Sequence, residues 1–225
     1  MSVLSKAGTR YLKNGRRVKD FSPAWLRQST EESLTRLGVE RLDVLQLHEP
    51  RVRDLTPECI AALHRLKEEG KVGAIGISAF DIPTQRHAIS LRAFDTLMVD
   101  YNLLRRDRAP IIRAAHAQGM LVLGAMPLVN GLASSAIFTP SLRNIWYVLR
   151  ALKNYRLDVL KLRKFAFLRE VEGWSTAELA MAYVLAHPGV GCAFFNTTRP
   201  AHLSQLLPIT ERALPPELLA RIEAA

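Results

Sequence analysis

Two cysteines in 225 residues are too few for a disulfide framework. Cys59 falls in a helical pattern and Cys192 in a run of strand length. Neither lies beside a second cysteine or a histidine at ligand spacing, so both read as small buried hydrophobes and no metal is expected. Long apolar runs are also missing. The longest, around Leu121 to Ala125 and Val190 to Phe195, fall far short of the roughly 20 residues that cross a bilayer. The N-terminus, MSVLSKAGTR, has no basic stretch followed by an apolar one and no small-residue cleavage site, so a cytoplasmic location is expected. No Gly-x-Gly-x-x-Gly turn follows any apolar run, and no phosphate loop ending in Gly-Lys-Ser or Gly-Lys-Thr occurs.

What is present is an ordinary globular composition, 48% apolar and 23% charged, with no midway shift that would mark a linker. One domain over residues 1–225 is expected, with enough apolar material for a core. The net charge of +10 fits an arginine-rich solvated surface. A basic nucleic-acid module has only that charge behind it, since exposed aromatics do not alternate with the cations. The stretch from Arg143 to Arg169, with Arg150, Lys153, Lys161, Arg163 and Lys164, reads as a solvated amphipathic helix.

Short apolar runs alternate with amphipathic stretches of helix length, the pattern of β-α-β units around a parallel sheet. Six strands are expected, at Val3–Ser5, Leu42–Leu47, Val72–Ile77, Thr96–Val99, Leu121–Ala125 and Gly191–Phe195. Helix starts are legible at Ser22-Pro23 and Thr56-Pro57, where a capping hydroxyl precedes proline at the first helical position, and at the capping box of Ser175 and Glu178. Gly38, Gly70 and Gly119 follow helical patterns and supply the left-handed residue that stops them. The missing nucleotide turns favour a closed β/α barrel over an open doubly wound sheet. In such a barrel chemistry gathers at the C-terminal strand ends. Those ends are Lys6, His48, Ser78, Asn102, the loop from Met126 to Gly131, and Asn196 to Arg199.

Five strings at these places, SLTRLGVERLDVLQLHEP, ALHRLKEEGKVGAIGIS, YNLLRR, PLVNGL and NTTRPAHL, resemble successive landmarks of the aldo-keto reductase family, in family order. The resemblance implies an α/β fold, a TIM-type barrel with about six of its eight strands present. It also implies NADPH, or NADH, as cofactor and an aldehyde or ketone as substrate, reduced without a metal. Of the family's aspartate, tyrosine, lysine and histidine tetrad, His48 matches the histidine and Lys6 the lysine. The aspartate and tyrosine belong ahead of the lysine strand, where this chain has five residues. Tyr11 follows Lys6 in what reads as a basic loop, and Tyr101 belongs to the YNLL landmark.

Cofactor contacts implied by the resemblance are Ser78 at the nicotinamide carboxamide, Leu128 and Gly131 in the pyrophosphate loop PLVNGL, and Thr198 and Arg199 at the ribose phosphate. Three positions depart from the family pattern: Ala79 stands for an asparagine, Met98 for a glutamine, and Met126 for the aromatic that stacks on the nicotinamide. Six strands of an eight-strand design leave two edges exposed, so upstream strands, a different closure, or a homodimer through those edges are all expected solutions. The alternative to a reductase is a remodelled family member or pseudoenzyme, with nicotinamide-independent lyase or isomerase chemistry at His48.

Overall fold

The computed structural model describes residues 2–129, 149, 161–197 and 199–225. Strands β1 (Leu4–Ala7), β4 (Leu42–His48), β5 (Val72–Ser78), β6 (Thr96–Asp100), β7 (Leu121–Ala125) and β8 (Val190–Phe194) form one sheet in that order, which does not close among the described residues. All six expected strands are there. A separate two-stranded hairpin, β2 (Thr9–Tyr11) with β3 (Arg17–Lys19), follows β1 directly. Tyr11 is thus in a strand, where the sequence reads as a loop. Polar, cationic strands carry no apolar alternation; the available signal was the Asn14-Gly15 pair, a favoured hairpin turn.

The chain divides into two compact units, Met1–Val99 with Pro110–Leu123, and Asp100–Ala109 with Gly124–Ala225. In the first, β1, β4, β5 and β6 pair in parallel, with Lys6 beside Gln46, His48 beside Ser78, and Ser78 beside Met98. Side chains alternate across a strand, so this register sorts odd and even positions onto opposite faces. The odd face holds Leu45, Leu47, Ile75, Ile77 and Leu97, all sealed from solvent. Each contributes about 1.5–3 kcal/mol by burial. Helices α1 (Pro23–Leu37) and α2 (Pro57–Glu68) pack on each other, and α2 packs on β5. The even face carries Lys6, Gln46, His48, Ser78, Thr96 and Met98, which gathers the polar chemistry on one side.

The helices begin as the sequence indicates. Ser22 and Thr56 accept from the backbone N–H groups of Trp25 and Cys59, and Gly38 takes the left-handed conformation that stops α1. Between α2 and α4 (Ala109–Ala117) stands α3 (Ile82–Leu91), capped by Asp81.

In the second unit Tyr101 stacks on Tyr183 at 5.5 Å and donates to its hydroxyl at 2.9 Å, and Tyr183 donates to Glu223 at 2.8 Å. Tyr183 lies on α5 (Thr176–Leu185), which starts with the expected capping box. After α6 (Pro200–Leu206), the C-terminal helix α7 (Pro216–Ala224) is further held by Arg106, which donates to the carbonyls of Ile222 and Glu223. Cys59 is buried as expected, with its thiol pushed up to about 12 by burial. Cys192 corrects the other half of that expectation. It is exposed, on a strand that ends the sheet order and has a neighbour on one side only among the described residues. No helix among the described residues is long and apolar enough to cross a membrane.

Candidate active site

The even face of the first unit brings Lys6, His48 and Ser78 together. Lys6 lies inside β1 rather than after it, while His48 and Ser78 are the last residues of β4 and β5, side by side in register. Lys6 is exposed as a residue, yet its amine reaches along the face and donates to the Met98 sulfur at 3.4 Å. A long side chain of this kind is exposed along its stem and desolvated at its tip. Burial of the amine, with the positive charge of Lys19 adding to it and Glu49 opposing, holds the Lys6 pKa below its ordinary value.

Two glycine and amide features make that face passable. Gln46 is fully buried and its amide donates to the Thr96 hydroxyl at 3.1 Å, two strands away. Gly76 stands between them: a Cβ there would come within 2.0 Å of the Thr96 hydroxyl oxygen and 2.4 Å of the Thr96 carbonyl oxygen. The Gln46 side-chain amide oxygen, Oε1, has no partner among the described groups.

The hairpin supplies what the sequence did not reveal. Thr9 places its hydroxyl 3.1 Å from His48 Nδ1. Lys19 donates to the His48 carbonyl at 2.6 Å and to the Glu49 carboxylate at 3.2 Å. Glu49 holds a left-handed backbone with φ of 51°, which turns the chain directly after His48. Burial first, and then the nearby Lys19, Lys6 and Arg17 charges, depress the His48 pKa against the opposing pull of Glu49. The shift therefore favours the neutral imidazole. Because its native pKa lies below the unfolded value, the associated stability is present above about 6.5 and is lost as pH falls through the native pKa.

This arrangement gives two shifts of opposite sign. Lys19→Met removes a neighbouring cation and releases Glu49, so the His48 pKa moves up. Glu49→Gln removes the opposing carboxylate, so it moves down. An NMR titration of the imidazole reads both; no movement would show that burial alone sets the value, and equal directions would overturn the opposing roles of Lys19 and Glu49.

The second unit holds the other sequence-flagged positions. Asn102 donates to the Met126 carbonyl at 3.1 Å and accepts from the backbone N–H groups of Leu104 and Arg105. Met126 and Val129 both have positive φ, 56° and 50°, and bracket the half-buried Leu128 in a tight turn after β7. Arg199 is exposed ahead of α6, its backbone N–H donating to the Thr197 hydroxyl at 3.1 Å. Gly131, Thr198 and much of the Arg143–Arg169 stretch lie outside the described residues.

A model of the aldo/keto reductase family matches residues 3–225. The chain belongs to this family. It is 32% identical over 142 residues to the NADH-specific methylglyoxal reductase of Escherichia coli (strain K12), covering 60% of this chain and 41% of that protein. It is 33% identical over 120 residues to the D-threo-aldose 1-dehydrogenase of a Pseudomonas species, covering 51% and 36%. Both matches span well under two thirds of the relative. Among solved structures, the holo form of an aldo-keto reductase from Bacillus halodurans is similar at a TM-score of 0.78 and 26% identity, over 99% of this chain and 72% of that one. The glycerol dehydrogenase of Gluconobacter oxydans is similar at 0.80 and 25%, over 99% and 71%. The fold is thus of the aldo-keto reductase barrel kind, incomplete, with a six-stranded parallel sheet among the described residues.

The residues present fit a nicotinamide cofactor in part. Ser78 is buried and its hydroxyl donates to the Met98 thioether at 3.4 Å, a weak acceptor that a carboxamide oxygen would displace. Ala79 and Met98 offer no amide, so Ser78 is the one side chain of the three family positions that can hold that end.

Proposed function

We propose that the chain is an oxidoreductase that reduces an aldehyde or ketone with NADPH, NADH being the other family cofactor. The observation that carries this is the shared face on which Lys6, inside β1, and His48 and Ser78, at the ends of β4 and β5, stand on adjacent strands. Ser78 would hold the carboxamide, Leu128 and Gly131 the pyrophosphate, and Thr198 and Arg199 the ribose phosphate, where a guanidinium can fork onto two oxygens. A bound reduced nicotinamide supplies the hydride. Charge then develops on the carbonyl oxygen, and the Lys6 ammonium and a His48 Nε2–H stabilise it where water is scarce. The depressed Lys6 pKa also eases proton movement from Nζ. The neutral His48 can serve as donor when the Thr9 hydroxyl donates to Nδ1, since that fixes the proton on Nε2.

Support comes from the family, from relatives named as a methylglyoxal reductase and an aldose dehydrogenase, and from the retained lysine and histidine. A cytoplasmic setting and a small carbonyl substrate are part of the same reading. So is a homodimer through the sheet edges, where Leu4 and Phe194 are 36% and 38% exposed. Titration with NADPH and with NADH, following nicotinamide fluorescence, tests the step every redox reading needs. Saturation weakened by Arg199→Ala, about tenfold for one lost charged contact, supports it. A folded chain that binds neither at millimolar concentration overturns it.

One observation favours a second reading. Ala79 and Met98 stand where the family has amides, and Ser78 is bonded to Met98, so the face offers nicotinamide one hydroxyl and no amide at those three positions. His48 would then act as an acid-base group in lyase or isomerase chemistry, and the same titration separates the two.

A further inference from the structure

Between Thr9 and Lys19 the chain carries five cations and no acid: Arg10, Lys13, Arg16, Arg17 and Lys19. The hairpin register sorts them. Thr9 pairs with Lys19, Arg10 with Val18, and Tyr11 with Arg17. Directly opposed residues share a face of a two-stranded ribbon, and so do residues two apart on one strand. Thr9, Tyr11, Arg17 and Lys19 therefore stand on one face, and Arg10 and Val18 on the other. The second face has its own partners, for Arg10 bonds to Asp20 at 3.2 Å and lies 5.1 Å over the Trp25 ring.

The first face is tied to the site twice, through Thr9 on His48 Nδ1 and through Lys19 on the His48 carbonyl. Lys19 is paired with Glu49. Two strand residues farther along, about 7 Å, come Tyr11, 70% exposed, and Arg17, also exposed. Arg17 forms no ion pair among the described residues, and its charge still acts on both His48 and Glu49. An exposed aromatic ring and a guanidinium outside any described ion pair thus stand on the hairpin face that meets His48, one strand repeat beyond the residues that touch it.

We propose that this hairpin face is the substrate-recognition wall, with Arg17 binding the anionic group of a carbonyl compound and Tyr11 covering its carbon chain. The inference rests on the proposed carbonyl chemistry and names its substrate class: aldehydes or ketones carrying a carboxylate or phosphate a few bonds from the carbonyl. A guanidinium fork suits either anion. Lys19 would position the wall and not bind the anion, being already paired.

The test uses the full 225-residue chain and follows the His48 imidazole by NMR. Probes are 4-hydroxybutyrate and glycerol 3-phosphate against their neutral counterparts, 1-butanol and glycerol. The alcohols are products of reduction and cannot form imines with lysines. At least one anion should saturate at a concentration about tenfold or more below its neutral counterpart, and Arg17→Ala should weaken it about tenfold while Arg17→Lys restores part of the affinity. Binding should also weaken as salt rises from about 20 to about 300 mM. Which anion binds tells carboxylate from phosphate. Equal response to the neutral probes, unchanged binding in Arg17→Ala, or no saturation by either anion overturns the proposal.

Turnover separates this from the reductase reading. Equal kcat/KM for succinic semialdehyde and butanal with a nicotinamide cofactor would remove the anion preference and leave the reductase standing. Anion-selective binding at His48 without cofactor binding would do the reverse.

Discussion

Gly76→Ala is expected to lower the unfolding free energy by about 3 kcal/mol, enough to consume a large part of an ordinary domain's margin. The added methyl group would sit 2.0 Å from the Thr96 hydroxyl oxygen, 2.4 Å from the Thr96 carbonyl oxygen and 3.0 Å from its carbonyl carbon. Two of those three atoms are backbone in β6, paired in register with β5, so they cannot swing aside as the tip of a flexible side chain would. The strand pair must spread or the Gln46–Thr96 hydrogen bond must break, and either outcome leaves buried polar groups unpaired. Urea denaturation followed by far-UV circular dichroism measures the change. A loss below about 1 kcal/mol would mean that β5 and β6 separate easily. Gly15→Ala offers a contrast, because nothing lies near its missing Cβ and only its positive φ, 77°, opposes the change.

That glycine illustrates which features a sequence discloses. The strand series and helix caps were legible because each rests on local chemistry: a hydroxyl before proline, a glycine after a helical pattern, an apolar run of strand length. His48 was legible as a strand-end residue in a recognisable order of landmarks, whereas Lys6, expected at a strand end, lies inside β1. Gly76 reads as one more small residue in VGAIGIS, since its role depends on Thr96, twenty residues later and one strand over. The hairpin escaped for a different reason. Its strands are three residues each and cationic, so the apolar alternation that marks a half-buried strand is missing. Thr9, which meets the imidazole, and Lys19, which meets the His48 carbonyl and Glu49, could not be joined to His48 before the hairpin folded back over the end of β4. Cys192 departs from its expected burial because coverage of an apolar strand is decided by neighbours distant in sequence, and β8 has one on a single side among the described residues.

His48→Gln should reduce kcat/KM about a hundredfold in the reduction of succinic semialdehyde with NADPH, leaving cofactor affinity within about twofold. Glutamine keeps a donor at similar reach but loses the tautomer that Thr9 sets through Nδ1, so the loss measures an oriented imidazole and not bulk. Thr9→Val tests the orientation by itself: the ring stays, its hydrogen bond goes, and a smaller loss of about tenfold is expected. The pH profile ties this to the charges around the ring. Because burial and the cations of Lys19, Lys6 and Arg17 depress the His48 pKa, the acidic limb set by this group should lie below about 6.5. Lys19→Met should carry the limb upward together with the imidazole pKa measured by NMR. A limb that stays fixed while the imidazole pKa moves would assign it to another group. An unchanged kcat/KM in His48→Gln would reduce His48 to a strand-end residue held by Thr9, with the developing negative charge left to Lys6.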